Sequence, residues 1–156
     1  GWNGRDPLTA LHPGAGSTLK RWPASRFLQL AQHLALREKR KLLIIEGSAE
    51  RGLAPQIVSA LPAGSAIVFD AMSLNLLAAV AAQCDLFIGN DSGVAHLAAA
   101  LDVRCVVLFG PTLPRHWAPL GPDVRVLRNT QCCEGCASAG NHHTCLENIT
   151  VEEVIR

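Results

Sequence analysis

Short apolar runs alternate with longer stretches in which apolar residues return every three or four positions. Residues 8–11, 42–45, 66–69, 86–88, 103–109 and 124–127 are runs of four to seven residues, three at 86–88, rich in Leu, Ile, Val and Phe. Runs this short and this rich in strand formers predict buried strands. Leu42-Leu43-Ile44-Ile45 is apolar on both faces, as a central parallel strand requires. Between the strands, Phe27, Leu30, Ala31 and Leu34 fall on one helical face, and helices are predicted at 53–60, 74–83 and from Ser92 to Leu101. Residues 113–122 have no periodicity and read as a loop.

The punctuation agrees with this division. Pro23 suits the first position of a helix, and Ser73 suits an N-cap. Thr150-Val151-Glu152-Glu153 spells a capping box, which predicts a last helix. Gly89-Asn90-Asp91 reads as a tight turn, with Asp91 or Ser92 capping the helix that follows. Strands alternating with helices predict an α/β fold: a doubly wound parallel sheet with right-handed crossovers. Residues 1–7 form a polar lead-in, and 8–156 form one domain. In such a sheet the loops at the carboxyl ends of the strands meet at one rim, and ligands bind there.

Composition narrows the classes. The chain has 156 residues, 49% of them hydrophobic and 17% charged, with a formal net charge of +1. That supports a compact core and gives no electrostatic reason to expect nucleic acid. The basic run at 37–41 reads as a solvated helix end. No apolar run reaches the ~18 residues that span a bilayer, and no leader is recognised at the start, so a cytoplasmic location is expected. Of six cysteines, Cys84 and Cys105 fall where a small buried hydrophobe is expected. The others cluster at 132–145, and nothing else suggests a secreted disulfide scaffold, so reducing surroundings are expected.

Candidate chemistry lies at the predicted rim. The loop 12–23 holds Gly14, Gly16, Ser17, Thr18 and Lys20, a set of donors able to wrap a phosphate, at spacings unlike a Walker A loop. Asp91-Ser92-Gly93 opens a helix, and a helix start without a side chain at Gly93 is an anion site. After the second strand, Glu46 and Glu50 are two carboxylates, each suited either to a ribose or to a helix start.

These motifs resemble glycosyltransferase family 9, the heptosyltransferases that build the inner core of lipopolysaccharide. The resemblance is carried by His12-Pro13-Gly14 through Lys20-Arg21-Trp22-Pro23, by Met72-Ser73-Leu74, by Gly89-Asn90-Asp91-Ser92-Gly93-Val94-Ala95-His96 and by Phe109-Gly110-Pro111-Thr112, in family order. It implies the carboxyl-terminal, Rossmann-like half of a two-domain GT-B enzyme, which binds a nucleotide-sugar, typically ADP-heptose. The lipid A–core acceptor and the general base would then belong to an amino-terminal domain absent from this chain. The chain alone would be inactive, and the whole enzyme would work at the cytoplasmic face of the inner membrane. By the same resemblance, Lys20, with Ser17 and Thr18 near it, meets the diphosphate, and Asp91, Ser92 and Gly93 hold diphosphate or sugar. Met72 falls where the family's main chain meets adenine, Glu50 best matches the ribose acid with Glu46 second, and His96 orients the loop or touches ligand. The family transfers sugar with inversion and without a required cofactor, and no Asp-X-Asp metal motif occurs here.

The cysteine-rich stretch goes beyond that core motif. Cys133, Cys136, Cys145 and His142 could form a tetrahedral zinc site; the alternatives are reduced thiols or a local disulfide. Two other functions stay open: a GT-B-type nucleotide-sugar epimerase, and a non-catalytic nucleotide-binding module with a metal-binding tail.

Overall fold

A computed structural model of the protein describes residues 2–47, 51–70, 73–129 and 145–156. Six strands, β1 (Leu8–His12), β2 (Lys41–Glu46), β3 (Ala66–Asp70), β4 (Leu86–Asn90), β5 (Arg104–Phe109) and β6 (Val124–Arg128), pair in parallel in the order β3-β2-β1-β4-β5-β6. Among the described residues six helices flank them: α1 (Ala24–Leu36), α2 (Leu53–Ser59), α3 (Leu74–Ala81), α4 (Gly93–Ala100), α5 (Pro114–Trp117) and α6 (Val151–Ile155). The chain winds outward from β1 to β3 in one direction and from β4 to β6 in the other. Between β1 and β4 the order reverses, which leaves a crevice at their carboxyl ends, where the outgoing loops part.

Each face of the sheet has its own core. On one face Leu42 and Ile44 of β2 pack with Phe27, Leu30 and Leu34 of α1 and with Val151 and Val154 of α6. On the other, Leu43 and Ile45 pack with Leu77 of α3, with Ala95, Ala98 and Ala99 of α4 and with Phe87 and Phe109. The small residues of α4 let its backbone lie close to the sheet, so its first turn sits directly above the end of β4.

The predicted division into elements is the observed one, with four corrections. The helix predicted from Pro23 begins at Ala24, with Pro23 itself at the N-cap. The polar lead-in is partly folded: Trp2 packs against the α3–α4 core and donates its indole N–H to Asp6 O at 2.7 Å. Residues 113–122 include the short helix α5. The predicted turn at Gly89-Asn90 is instead the end of β4. Gly89 is paired with His12 of β1, and a Cβ there would lie 2.8 Å from Phe87 Cζ and 3.0 Å from His12 O. Glycine is needed for close packing against β1, not for turning.

Cys84 and Cys105 are the buried hydrophobes expected of them. Burial, with Asp85 second, pushes the Cys84 thiol up to about 12. Burial, with Asp123 second, pushes Cys105 up to about 11, so neither forms a reactive thiolate near neutral pH. Among the described residues no helix is long and apolar enough to cross a membrane.

Candidate functional site

The crevice is framed by the loop from β1 to α1 and by the step from β4 into α4. Within the first, Ser17 caps a 3-10 turn, Thr18–Lys20, by accepting from Leu19 N–H. That turn directs Lys20 back over the sheet, and its ammonium lies 2.8 Å from Asp91 Oδ2. Thr112, in the loop leaving β5, donates its hydroxyl to the same Oδ2 at 2.6 Å. Three loops therefore meet on one buried carboxylate. The Lys20 side chain remains 28% exposed. An ammonium has three hydrogens, so one can stay on Asp91 while others reach a ligand.

Immediately beyond Asp91, Ser92 caps α4, its hydroxyl accepting from Ala95 N–H. That leaves the N–H groups of Gly93 and Val94, which have no carbonyl within the helix to bond. A Cβ added at Gly93 would meet nothing within 4 Å, so the helix start is open to approach. Anions are stabilised at such a position by aligned N–H dipoles and by the helix macrodipole. An ammonium beside it adds a full charge.

Behind these groups Asn90 is wholly buried. Its Oδ1 accepts from Trp22 N–H at 2.9 Å, and its Nδ2 donates to Pro13 O at 2.8 Å and to Gly14 O at 3.2 Å. The loop that carries Lys20 is thus tied at both ends to the last residue of β4. Its Trp22 indole N–H also reaches Ile149 O, 2.9 Å away, and the ring packs edge-on to Phe27. On β1, His12 is buried with Nδ1 3.1 Å from Ile45 O; a carbonyl only accepts, so Nδ1 carries the hydrogen there.

The open cleft beside this cluster encloses about 400 Å³. Gly16, Ser92 and Gly93 form its polar side, and Leu74, Val94 and Leu97 its apolar side, with Gly47 at the end of β2. A volume of this size with one apolar wall suits a nucleotide-sized ligand.

The residues expected at the site divide as follows. Lys20, Asp91, Ser92 and Gly93 come together at the crevice, and Ser17 and Thr18 belong to the turn that carries Lys20. Glu46 is turned inward, where its Oε1 accepts from Ala54 N–H at 2.8 Å and holds the start of α2. That is the helix-start role left open by the sequence. His96 stands exposed on α4, outside the lining of the cleft. Glu50 and Met72 lie outside the described residues, as do Cys133, Cys136 and His142. Cys145 is buried and disulfide-bonded, so it has no thiolate to offer zinc, and the four-ligand set with Cys145 is withdrawn. Of the alternatives to zinc, reduced thiols or a local disulfide, a disulfide is the one found at this residue.

Sequence reading places residues 110–112 at the rim but gives no individual role to Thr112 or to Asn90, the two residues that tie this cluster together. Both lie in quoted motifs, yet nothing in their spacing connects residue 90 with 13, 14 and 22, or residue 112 with 91.

The chain is matched over residues 3–147 by the model of a family described as glycosyltransferase family 9 (heptosyltransferase). It is 33% identical to lipooligosaccharide heptosyltransferase 2 of Campylobacter jejuni, over 98% of this chain and 50% of that protein. Among solved structures, it superposes on a glycosyl transferase family 9 protein from Veillonella parvula with TM-score 0.86 and 30% identity, over 99% of this chain and 45% of that one. It superposes on ADP-heptose LPS heptosyltransferase II of E. coli with TM-score 0.81 and 28% identity, over 96% of this chain and 44% of that one. The chain spans about half the length of the curated relatives it matches first.

Proposed function

The chain belongs to glycosyltransferase family 9, and from that premise we propose that it is the donor-binding half of an inverting glycosyltransferase that moves heptose from ADP-heptose to the inner core of lipopolysaccharide. One observation carries the reading: the Lys20 ammonium sits 2.8 Å from Asp91, at the open start of α4 and beside a nucleotide-sized cleft.

The chemistry follows from the charges that develop. As the glycosidic bond to the donor phosphate breaks, positive charge grows on the anomeric carbon and negative charge on the departing diphosphate. Lys20 and the first N–H groups of α4 face that negative charge from fixed positions. Groups already oriented before reaction lower the barrier without reorganising during it. Asp91 keeps the ammonium in place, and Thr112 shares its carboxylate, so the flexible lysine loses less entropy on meeting ligand. Ser17 and Thr18 line the turn near the phosphates. The nucleoside lies along Leu74, Val94 and Leu97; the adenine role of Met72 and the ribose role of Glu50, outside the described residues, rest on the family resemblance. Lys20 acts on the leaving group and takes no proton from the acceptor.

The acceptor site and the general base belong to the half of the relatives' length that this chain does not span. This chain alone is then inactive in transfer, and the whole enzyme meets its lipid-linked acceptor at the cytoplasmic face of the inner membrane. The donor is a substrate, and the reading needs no cofactor.

Titration of the chain with ADP, UDP, CMP and adenosine, followed by calorimetry and amide shifts, tests this. ADP is expected to bind more tightly than adenosine and to shift the amides of Lys20, Gly93 and Val94. A chain that binds none of the four, or that binds ADP and adenosine equally, removes the diphosphate site.

A further inference from the structure

Asn90 meets no solvent and is not among the residues that line the cleft, yet both ends of the lysine-bearing loop close on it. We propose that Asn90 is a positioning residue for the diphosphate, setting affinity for pyrophosphate-bearing ligands through the placement of Lys20. The inference rests on the diphosphate reading above and names a residue outside the contact set that reading uses.

The geometry argues for this role in three steps. First, a carboxamide offers an acceptor and a two-hydrogen donor on one planar group, and all three of those capacities are used here: Trp22 N–H on Oδ1, and Pro13 O and Gly14 O on Nδ2. Secondly, beside these bonds and the Lys20–Asp91 pair, two more hold the loop at other points. Arg21 Nη2 donates to Ala15 O at 3.0 Å, which closes the loop on itself, and the Trp22 indole anchors its far end to Ile149, away from the crevice. Thirdly, Asn90 is covalently followed by Asp91, which receives the Lys20 ammonium. Two consecutive residues of β4 and its exit thus hold the loop at its ends and at its lysine. A shift of the loop ends relative to β4 moves the ammonium off Asp91 and off the start of α4 together.

Aspartate at this position keeps the oxygen for Trp22 N–H and replaces the donor with a second acceptor, facing two carbonyls. Leucine removes both functions without adding charge. The test measures ADP and adenosine affinity by calorimetry for the parent chain, Asn90→Asp, Asn90→Leu, Lys20→Ala and the double variant of Asn90→Asp with Lys20→Ala. Both Asn90 variants are expected to weaken ADP about tenfold, as loss of about 1.4 kcal/mol would, and to leave adenosine within about twofold. In the Lys20→Ala background, Asn90→Asp is expected to add no further loss, because the group it positions is gone. Multiplying losses in the double variant overturn the inference, as does an equal fall of ADP and adenosine in both Asn90 variants. Normal ADP binding by both Asn90 variants beside a weakened Lys20→Ala overturns it alone. Normal ADP binding by Lys20→Ala, with Asn90 intact, overturns the diphosphate reading and this inference with it.

Discussion

The two sides of the crevice are built differently. On the β1–β4–β5 side, side chains from three loops converge. Lys20 and Thr112 both donate to Asp91, and Asn90 ties the ends of the loop between β1 and α1. On the β2 side, the one charged side chain described at the strand's end, Glu46, is directed into the protein and spent on Ala54 N–H, while Gly47 and Leu74 offer backbone and apolar surface to the cleft. A diphosphate is a compact, highly charged group, and its recognition calls for donors fixed to tenths of an ångström. A nucleoside is bulky and weakly polar, and is held mainly by area and shape. Among the described residues, the side with the denser network is the one to which the more demanding ligand group is assigned.

Breaking the dense side at its charge should have the largest effect. Lys20→Ala is expected to weaken ADP about a hundredfold, the scale of two charge-assisted hydrogen bonds, and adenosine hardly at all. Comparable losses for both ligands in calorimetry would put Lys20 away from the diphosphate. Next comes the packing beneath it. Gly89→Ala places a methyl group 2.8 Å from Phe87 Cζ and 3.0 Å from backbone His12 O, and the strand pair cannot yield freely. A loss of about 1–3 kcal/mol in denaturant unfolding is expected, whereas Gly93→Ala, at open space, should leave stability within about 1 kcal/mol. Equal stabilities for the two alanine variants would contradict the packing described for β4. Smaller again is Thr112→Val, which removes one of two donors to Asp91. ADP affinity is expected to fall about three- to fivefold, since the net worth of such a bond is about 1 kcal/mol. An unchanged affinity would make Thr112 a bystander.

The contrast also explains what the sequence could show. The sheet was legible because apolar runs such as 42–45 and 105–109 have one physical use, and because Ser73, Ser92 and Thr150 all stand as N-caps with the expected side-chain bonds. The candidate anion site was legible because Lys20, Gly93 and the helix start are local signals, each on its own loop. The connections between loops were not. Asn90 looks like turn chemistry when read with its neighbours, and only the pairing of β1 with β4 brings it to Pro13, Gly14 and Trp22. Gly89 misled for the same reason: the atom that excludes a side chain is His12 O, 77 residues earlier in the chain. Glu46 could have faced a ribose or a helix, and nothing local decided between them. The deciding partner, Ala54 N–H, depends on where α2 docks on the sheet.

Glu46 gives the smallest predicted effect and the sharpest check on the sparse side. Its Oε1 accepts from Ala54 N–H at the start of α2, within the protein. Glu46→Gln keeps an oxygen at that position and removes the charge. If the residue serves only the helix, unfolding stability should change by about 0.5 kcal/mol or less, because the acceptor is retained. ADP and adenosine affinities should both stay within about twofold of the parent. A ribose contact behaves differently: a carboxylate accepts from both ribose hydroxyls, and an amide turns one of those acceptors into a donor. Such a contact would lower the affinity of adenosine and of ADP by the same factor, since both carry the ribose. A matched fall of tenfold in the two ligands would therefore return Glu46 to the nucleoside, and show that α2 moves aside when the cleft fills.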